Sequence, residues 1–306
     1  MQRSRVVTIV LNTNRRDDTL ACLASLAANT RQSDAVIVLD NQSSDGSVEA
    51  IRRSFPAVQI VALTENLGYA GNNNVGIQRA LAHQAEWILL LNEDTISATD
   101  CLERLIRLGE SDARVGMVGP TVYHYDEPDV IQSAGGRISR FWEATHRGQN
   151  EVDRGQFAEP RSVDWLTGCG ILVRGALVEQ IGMLDARMFI YWEETEWCVR
   201  AKRAGWLIMH EPRAKLWHKG VTRNDQPKPS FTYYSTRNRF LAMAKHRAPL
   251  PAWIVVGMQT ARTLTSWTIK PKWQHMREHR DAMWQGTVDF LRHRWGMYPL
   301  QVKRDS

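Results

Sequence analysis

Two carboxylates stand at the end of a strongly apolar run. Residues 88–91, Ile-Leu-Leu-Leu, are followed at once by Asn92, Glu93 and Asp94, and such a run predicts a buried strand. In an α/β sheet, ligands bind beyond the carboxyl ends of the strands. Carboxylates at that edge suit a divalent cation, which can in turn hold a diphosphate. In the alternative interpretation Glu93 and Asp94 begin the next helix, with Asp94 or Thr95 as its cap.

A second group of carboxylates follows a run rich in aromatic residues. Residues 189–192, Phe-Ile-Tyr-Trp, lead into Glu193, Glu194 and Glu196, a pattern that predicts a loop entering a helix. A helix dipole stabilises acids in the first turn, so capping alone is one interpretation. Because three acids within four residues exceed what capping needs, we predict a general base that deprotonates a substrate hydroxyl.

Two more side chains extend this chemistry. Asp40 ends the apolar run 35–39, where a carboxylate can accept hydrogen bonds from a base or a ribose; the alternative is an Asx turn. His218 follows a strand-like run. A lone histidine is more often a surface or core residue, but a neutral imidazole there can complete a metal site that Asp94 begins.

The elements that position these residues alternate between strand and helix. Strand-like runs lie at 6–11, 35–39, 58–62 and 87–91, and helical spacing occupies 18–26, 47–54 and 75–84. This order predicts an α/β fold with a doubly wound, mostly parallel sheet flanked by helices. No G-x-G-x-x-G follows the first strand, which argues against a dinucleotide-binding dehydrogenase. Residues 115–175 lose the alternation and predict mixed sheet and loops that build a substrate face.

The last quarter of the chain is basic and rich in tryptophan. Residues 1–227 contain 25 Lys/Arg and 29 Asp/Glu, whereas residues 228–306 contain 14 and 4, together with five tryptophans. Helical segments are expected at 232–247, 251–268 and 273–294. We therefore predict a catalytic domain over 1–230 and a helical C-terminal region over 231–306.

The middle helix of that region has one apolar face. Trp253, Val256, Leu264 and Trp267 share it, and Arg262 leaves the apolar part too short to span a bilayer. The face suits an anionic membrane surface or packing on the main domain, between which the sequence does not decide. Nucleic acid is a weaker alternative for a basic segment, and we expect no nucleic-acid partner.

The cysteines and the first residues bear on the compartment. Cys22, Cys101, Cys169 and Cys198 are scattered, without metal-ligand spacing, and no apolar stretch at the start is long enough for a signal peptide. We therefore expect a cytoplasmic protein with reduced thiols. Because the C-terminal region is basic, peripheral attachment to the inner face of the plasma membrane is a further expectation.

In their order along the chain, these motifs resemble family 2 glycosyltransferases of the GT-A fold, especially the rhamnosyltransferase-like branch. The resemblance covers residues 6–247. It rests on N-T-N-R at 12–15, D-N-Q-S-S-D-G at 40–46, the Asn- and Gly-rich loop at 66–76, N-E-D at 92–94, W-L-T-G-C-G at 165–170, E-E at 193–194 and His218.

The resemblance implies a role for each matching residue. Those on the donor side are Asn12, Thr13, Asn14, Arg15, Asp40, Asn66, Gly68, Asn72, Asn73 and Glu93. Those on the sugar and acceptor side are Trp165, Gly168, Cys169, Trp192 and Glu196. Asp94 and His218 are the implied ligands of Mg²⁺ or Mn²⁺, and Glu194 or Glu193 the implied catalytic base.

Two positions depart from the family pattern. Glu194 stands where the family usually has Asp, so its longer side chain must be placed differently, and Glu193 or Glu196 then remains a candidate base. Asn92 replaces an acid that is common in the family, which leaves fewer direct ligands for the metal.

The function that the resemblance implies is an inverting, metal-dependent hexosyltransferase. The donor would be a nucleoside-diphosphate sugar, with dTDP-rhamnose favoured and a UDP-sugar as the alternative. The acceptor would be a hydroxyl of a glycan or lipid-linked glycan in cell-surface polysaccharide synthesis, and a homodimer is compatible with it. Two other interpretations are a sugar-nucleotide nucleotidyltransferase and a non-catalytic sugar-nucleotide or lipid-binding protein.

Overall fold

A ten-stranded mixed sheet forms the centre of the protein, seen in a computed structural model that describes residues 3–220 and 222–298. Strands β8 and β9 form a separate two-stranded ribbon, and the other strands named here belong to the sheet. In chain order the strands are β1 (Val6–Asn12), β2 (Ala35–Asp40), β3 (Gln59–Ala62), β4 (Trp87–Asn92), β5 (Thr95–Ser97), β6 (Val115–His124), β7 (Ile131–Ser133), β8 (Gly136–Ile138), β9 (Ala144–His146), β10 (Arg161–Ser162), β11 (Gly170–Arg174) and β12 (Leu207–His218).

Helices cover both faces of this sheet and form the C-terminal region. They are α1 (Arg16–Ala27), α2 (Ser47–Ser54), α3 (Gly68–Ala82), α4 (Cys101–Glu110), α5 (Gly175–Ile181), α6 (Glu193–Arg203), α7 (Pro229–Lys245), α8 (Leu250–Ile269) and α9 (Arg277–Leu291), with 3₁₀ turns at Ala186–Met188 and Pro271–Met276.

The first half of the sheet is parallel and the second half is mixed. The strand order is β10-β12-β6-β11-β4-β1-β2-β3. Strands β1 to β4 pair in parallel, whereas β11 lies antiparallel between β4 and β6. Strands such as β1 read as continuous apolar runs because helices bury both of their faces. The predicted α/β fold with a mostly parallel sheet is confirmed.

The register places the ends of three strands side by side. Asn12 pairs with Asp40, and Leu11 pairs with Asn92. The polar residues that follow β1, β2 and β4 therefore converge on one edge of the sheet, which is where the topology of an open α/β sheet places a ligand.

Glu93 and Asp94 do not begin a helix. The chain turns directly from β4 into the short strand β5, and α4 starts only at Cys101. Strand β5 pairs with the end of β12, with Thr95 opposite His218. The helix-capping alternative is therefore wrong, and this strand pairing carries His218 to Asp94.

Helices α7, α8 and α9 pack on one another and on the residues just before α6. The rings of Phe240, Trp253 and Phe290 stack together, and Val256 is buried beside them. The face of α8 that carries Trp253 and Val256 therefore packs onto protein. The division at 230/231 stays a prediction, although α7 begins at Pro229, close to it.

Two further findings concern the described residues as a whole. In residues 3–220 and 222–298, none of the helices combines the length and the apolar character that crossing a membrane would need. All four cysteines are buried free thiols.

Candidate active site

Asn12 and Asp40 form a buried polar pair where β1 and β2 end. Asn12 Nδ2 donates to Asp40 Oδ1 at 2.7 Å and to Ser43 Oγ at 3.0 Å, while its Oδ1 accepts from Thr19 Oγ1 at 2.7 Å. The Ser43 amide donates to the other oxygen of Asp40. Asn12 therefore serves to orient Asp40. Ser43, to which the motif assigned no individual role, belongs to the same hydrogen-bonded group.

The loops after β1 and β2 are tied to each other. Asn14, at φ +52°, accepts a hydrogen bond from the Ser44 amide, and Asn41 donates to Thr13 Oγ1. Because these bonds occupy the side chains of Thr13 and Asn14, the main role of both residues is to fix the two loops that border this edge of the sheet. The guanidinium of Arg15 points elsewhere, toward Asp94.

Asp94 lies among cations at the turn between β4 and β5. Its Oδ1 is 3.1 Å from His218 Nε2, and its Oδ2 is 3.6 Å from Arg15 Nη1. Burial alone would raise the pKa of Asp94, but His218 and Arg15 outweigh it and hold that pKa below its ordinary value. Lys219 is tied to Asp18, which also pairs with Arg15. The turn thus offers an ionised carboxylate, with the fixed positive charges of Arg15 and Lys219 close by.

The residues at this turn fit a divalent cation. His218 Nδ1 lies 3.1 Å from Gln132 Oε1, and the ring turns its Nε2 toward the buried Asp94 Oδ1. A divalent cation would take the place of the proton between that nitrogen and that oxygen, with a neutral ring that donates from Nδ1 to Gln132. A Cβ on Gly220 would stand 2.2 Å from Asp94 Oδ2 and 3.3 Å from His218 Nε2, so glycine keeps the space open.

The protein itself supplies few ligands for such a cation. Across the described residues, no group of three or more His, Cys, Asp or Glu side chains is arranged to hold a metal. Asp94 and His218 are a mixed oxygen and nitrogen pair, which leaves the remaining positions to phosphate oxygens and water. Gln132, which orients His218, was not foreseen from the sequence.

Glu93 differs from its neighbour in ionisation. Burial, and then the charge of Asp94, raises the pKa of Glu93 to about 8. At neutral pH its carboxyl is therefore mostly protonated and able to donate a hydrogen bond. The two acids at the end of β4 thus have different chemistry, since Asp94 carries the charge.

Glu193 and Glu194 open helix α6 as a second acid pair. Each has one buried carboxyl oxygen without a hydrogen-bond partner among the described residues. Burial, and then repulsion from Glu194, raises the pKa of Glu193 well above its ordinary value. Burial also raises the pKa of Glu194 to about 7, although the backbone N–H groups of Glu194, Thr195 and Gly168 favour its charged form. At neutral pH one of the two acids is poised to accept a proton.

Tyr69 and Cys169 connect the two acid pairs. The Tyr69 hydroxyl donates to the Gly168 carbonyl. Burial raises the pKa of Tyr69, and the charges of Glu193, Glu194 and Glu93 raise it further. Burial likewise raises the pKa of the Cys169 thiol to about 12, with both Asp94 and Glu194 contributing. The acids that follow β4 and the acids that begin α6 therefore both raise the pKa of these two residues, so the two acid pairs lie around one site.

The Asn- and Gly-rich loop owes its shape to its own asparagines. Asn66 Oδ1 accepts from the Gly68 amide, and Asn72 Oδ1 accepts from the Leu67 amide. Asn73 donates to the Tyr69 carbonyl, while its Oδ1 is buried without a partner among the described residues. Of these asparagines, Asn73 keeps an acceptor free, and the others hold the turn that begins α3.

A close approach joins this loop to the residues before α6. Gly68 has φ +73°, and a Cβ there would lie 2.4 Å from the Phe189 carbonyl oxygen. The Ala70 amide donates to that same oxygen at 3.1 Å. Glycine is therefore required at 68 both for its backbone angle and for this contact.

The residues just before Glu193 have an unusual backbone. Phe189, Tyr191 and Trp192 have φ of +64°, +67° and +76°, a region that bulky residues rarely occupy. Asn238 on α7 donates from one amide group to the carbonyls of Met188, Ile190 and Tyr191, at 2.7 to 3.0 Å. We call residues 188–192 the acid-positioning segment, because its conformation decides where the acids of α6 begin.

Arg237, the residue before Asn238 on α7, supports the same segment. It is fully buried and donates to the carbonyls of Arg187, Met188 and Gly296. Neither Arg237 nor Asn238 belongs to a sequence motif that we recognised. Their only signal was the polar run Ser-Thr-Arg-Asn-Arg at 235–239, in the middle of a predicted helix.

The remaining acceptor-side residues lie in different surroundings. Both oxygens of Glu196 are in ion pairs, with Arg200 at 3.0 Å, His246 at 3.0 Å and Lys245 at 3.1 Å. Trp165 is buried against His146 and donates to the Arg137 carbonyl. A Cβ on Gly168 would stand 3.1 Å from the Tyr69 hydroxyl, so this glycine lies at the junction of the two acid pairs.

The fold is that of a GT-A glycosyltransferase. The sequence matches the family described as Glycosyltransferase like family 2 over residues 4–241, and the chain belongs to that family. The resemblance inferred from the motifs is confirmed.

Two relatives are similar to the chain in sequence, and one solved structure is similar to it in fold. It is 28% identical over 268 residues to the N-acetylglucosaminyl-diphospho-decaprenol L-rhamnosyltransferase of Mycobacterium tuberculosis (strain ATCC 25618 / H37Rv), covering 79% of this chain and 86% of that protein. It is 26% identical to the dTDP-rhamnosyl transferase RfbF of Shigella flexneri, covering 80% and 83%. The mannosyltransferase PcManGT from Pyrobaculum calidifontis, solved with GDP-Man and Mn²⁺, superposes with a TM-score of 0.58 at 16% identity, covering 95% and 88%.

We expect Asn238→Ala to impair sugar transfer more than it impairs folding. Three carbonyls lose their shared donor, so the free energy of unfolding should fall by about 1–3 kcal/mol. Displacing the acids by an ångström should lower kcat about 100-fold, with little change in the KM for the donor. Thermal denaturation and steady-state kinetics measure the two effects.

Asn29→Ala is the matched control for this change. Asn29 is also buried and donates to Ser25 and Ser97, but it has no contact with the acid-positioning segment. It should lower the melting temperature and leave kcat near normal. An equal loss of kcat in both variants would show that Asn238 acts only through stability.

Proposed function

We propose that this protein transfers a sugar, with L-rhamnose favoured, from a nucleoside diphosphate to a hydroxyl of a lipid-linked glycan, with inversion at the anomeric carbon. The observation that carries the proposal is the placement of two acid pairs around Tyr69 and Cys169. Within each pair, the two carboxyls differ in their pKa. Two relatives named as rhamnosyltransferases support the donor sugar, and the diphospho-decaprenol in one of those names supports the acceptor. A UDP-sugar is the alternative donor.

Glu194 is our choice of general base. With a pKa of about 7, it can accept a proton at neutral pH, while burial and the charge of Glu194 hold the pKa of Glu193 well above its ordinary value. Both oxygens of Glu196 are already in ion pairs, which argues against its use as the base. A pKa near the working pH is the property that a general base needs.

In the proposed reaction, Glu194 removes the proton of the acceptor hydroxyl as its oxygen attacks the anomeric carbon. The bond from that carbon to the diphosphate breaks, and the nucleoside diphosphate leaves. A single displacement of this kind inverts the configuration. The protonated Glu193 repels the ionising Glu194 less than a second carboxylate would, which keeps the pKa of the base near neutral.

The donor diphosphate would lie at the turn that holds Asp94. Arg15 and Lys219 supply fixed positive charge there, and Asp94 and His218 would hold Mg²⁺ or Mn²⁺. That cation, when bound, neutralises charge on the departing diphosphate. The buried Asp40, oriented by Asn12, would accept hydrogen bonds from the nucleoside.

The two other interpretations from the sequence fit the site less well. A nucleotidyltransferase needs metal carboxylates but no second acid pair on the sugar side. A non-catalytic binding protein would gain nothing from a buried carboxyl whose pKa lies near 7, because burying that group costs free energy. The homodimer stays a prediction.

Helix α8 supports a peripheral position on an anionic membrane. Leu250, Ile254 and Met258 form an exposed apolar stripe, with 70%, 52% and 65% of their surfaces accessible. Lys270 and Lys272, just after the far end of α8, are exposed as well. This stripe is not the face that carries Trp253 and Val256, which packs on protein. We propose that the stripe rests on the inner face of the plasma membrane, where a lipid-linked acceptor would be met.

Glu194→Gln should reduce kcat by about 10²–10⁴-fold while donor binding survives, because the amide cannot accept the proton. In the wild type, log kcat should rise with pH and level off above about pH 7, since the deprotonated form of the base is the active one. Steady-state kinetics across pH and nucleotide titration measure both effects.

Glu193→Gln separates the two acids. Glutamine imitates a protonated carboxyl, so this variant should keep most of the activity and the same pH profile. Unchanged turnover in Glu194→Gln would remove Glu194 from its role, and a large loss in Glu193→Gln alone would assign the base to Glu193.

Nucleotide binding should depend on a divalent cation through Asp94 and His218. We expect dTDP to raise the melting temperature more than UDP, and Mn²⁺ to enlarge the shift. Asp94→Asn and His218→Ala should lose the Mn²⁺-dependent part. Asp112→Asn, at a remote, half-buried carboxylate that pairs with Arg114, is the control. An identical Mn²⁺ effect in all four proteins would contradict the site, and a larger shift with UDP would contradict the nucleotide.

Replacing Leu250, Ile254 and Met258 together by serine should weaken binding to vesicles that contain anionic lipid. Each of these side chains loses apolar area that would enter the interface. Co-sedimentation with anionic and with neutral vesicles measures the effect, and circular dichroism checks folding. Equal sedimentation of the variant and the wild type would exclude this stripe as the contact.

A further inference from the structure

A cavity of about 580 Å³ lies among the three C-terminal helices, next to the acid-positioning segment. Its walls come from α7, α8 and α9, from the turn between β8 and β9, and from Trp192. Trp192 directly precedes Glu193 in the chain. Trp192 therefore joins the wall of the cavity to the start of α6.

The lining combines broad aromatic faces with hydroxyl groups. Trp142, Trp192 and Trp267 contribute indole rings, and five Ser or Thr side chains line the same space. The C–H face of a sugar ring is apolar and packs on such rings, while its hydroxyls need hydrogen-bond partners of this kind. The walls thus have the chemistry that binds a saccharide.

Two arginines give the cavity a positive charge. Arg239 and Arg262 both line it, and neither forms an ion pair with a carboxylate in the described part of the chain. Arg239 donates one N–H to the Phe141 carbonyl at 2.8 Å, but its Nε is buried without a hydrogen-bond partner among the described residues. Glu143 also lines the cavity, at its exposed side. A guanidinium with a buried free N–H favours an anion with oxygen acceptors.

We propose that this cavity, which we call the acceptor cavity, binds the saccharide of the acceptor together with a phosphate group attached to it. The phosphate would pair with Arg239 and Arg262, and the saccharide would pack on the indole rings beside Glu193. The inference rests on the glycosyltransferase function proposed above and adds where the acceptor binds and which charge it carries.

Three probes distinguish the possible sources of the anion. They are N-acetylglucosaminyl diphosphate with a short isoprenyl chain, the corresponding neutral alkyl glycoside, and pyrophosphate alone. Binding is measured by calorimetry without donor, so that the result does not depend on transfer. The wild type should bind the diphosphate-linked saccharide at least about tenfold more tightly than either of the other probes, since a charge-assisted pair adds to the sugar contacts.

Variants of the cavity should remove this preference. Arg262→Gln and Arg239→Lys should each bring the affinity for the diphosphate-linked saccharide close to that for the neutral glycoside, and Trp267→Ala should weaken both saccharides together. Arg292→Gln, an exposed arginine outside the cavity, is the control and should bind like the wild type. Because Arg262 is exposed, its replacement should fold normally, which nucleotide binding at the donor edge checks.

Three results would overturn the acceptor cavity. One is a preference for the phosphorylated saccharide that survives both arginine changes. Another is pyrophosphate binding as tightly as the diphosphate-linked saccharide. The third is equally tight binding of the neutral alkyl glycoside and the diphosphate-linked saccharide by the wild type, which would show that the phosphate takes no part. Binding that fits the proposal without any turnover from dTDP-rhamnose would instead contradict the proposed donor and leave the cavity standing.

Discussion

The site depends on the contact between α7 and the acid-positioning segment. One asparagine amide holds three carbonyls of residues 188–191, and the neighbouring Arg237 holds more of the same backbone from inside the protein. These bonds stabilise positive φ angles at three aromatic residues, a conformation that costs free energy without such support. On the other side, Gly68 and Ala70 pack on Phe189. The segment is therefore fixed between the Asn- and Gly-rich loop and the C-terminal helices.

The burial of several carboxylates at one site sets the second constraint. Like charges in a low dielectric cannot all ionise, and the protein resolves the conflict differently at each pair. Asp94 keeps its charge because His218 and Arg15 lie beside it, while Glu93 has a raised pKa. At α6, burial and the charge of Glu194 raise the pKa of Glu193 well above its ordinary value, and burial raises that of Glu194 to about 7. Each pair thus contains at least one acid whose pKa is raised.

Local sequence patterns predicted the elements, and long-range contacts decided the geometry. The apolar runs predicted β1, β2 and β4, and the motif order predicted the family, because both signals lie within short stretches of chain. The turn from Asp94 into β5 escaped prediction, since a three-residue strand exists only through its pairing with β12. Gln132, Tyr69 and Asn238 also act across many residues. Their roles depend on partners that no local pattern indicates.

The C-terminal helices cannot be regarded as separate from the chemistry. Residues 237–239 are consecutive on α7, and successive side chains on a helix point about 100° apart. Arg237 and Asn238 turn toward the acid-positioning segment, whereas Arg239 turns toward the acceptor cavity. One turn of helix therefore joins the backbone before Glu193 to the wall of the cavity. If the proposed function holds, a ligand that orders this wall would also steady the acids of α6, which would link acceptor binding to the placement of the base.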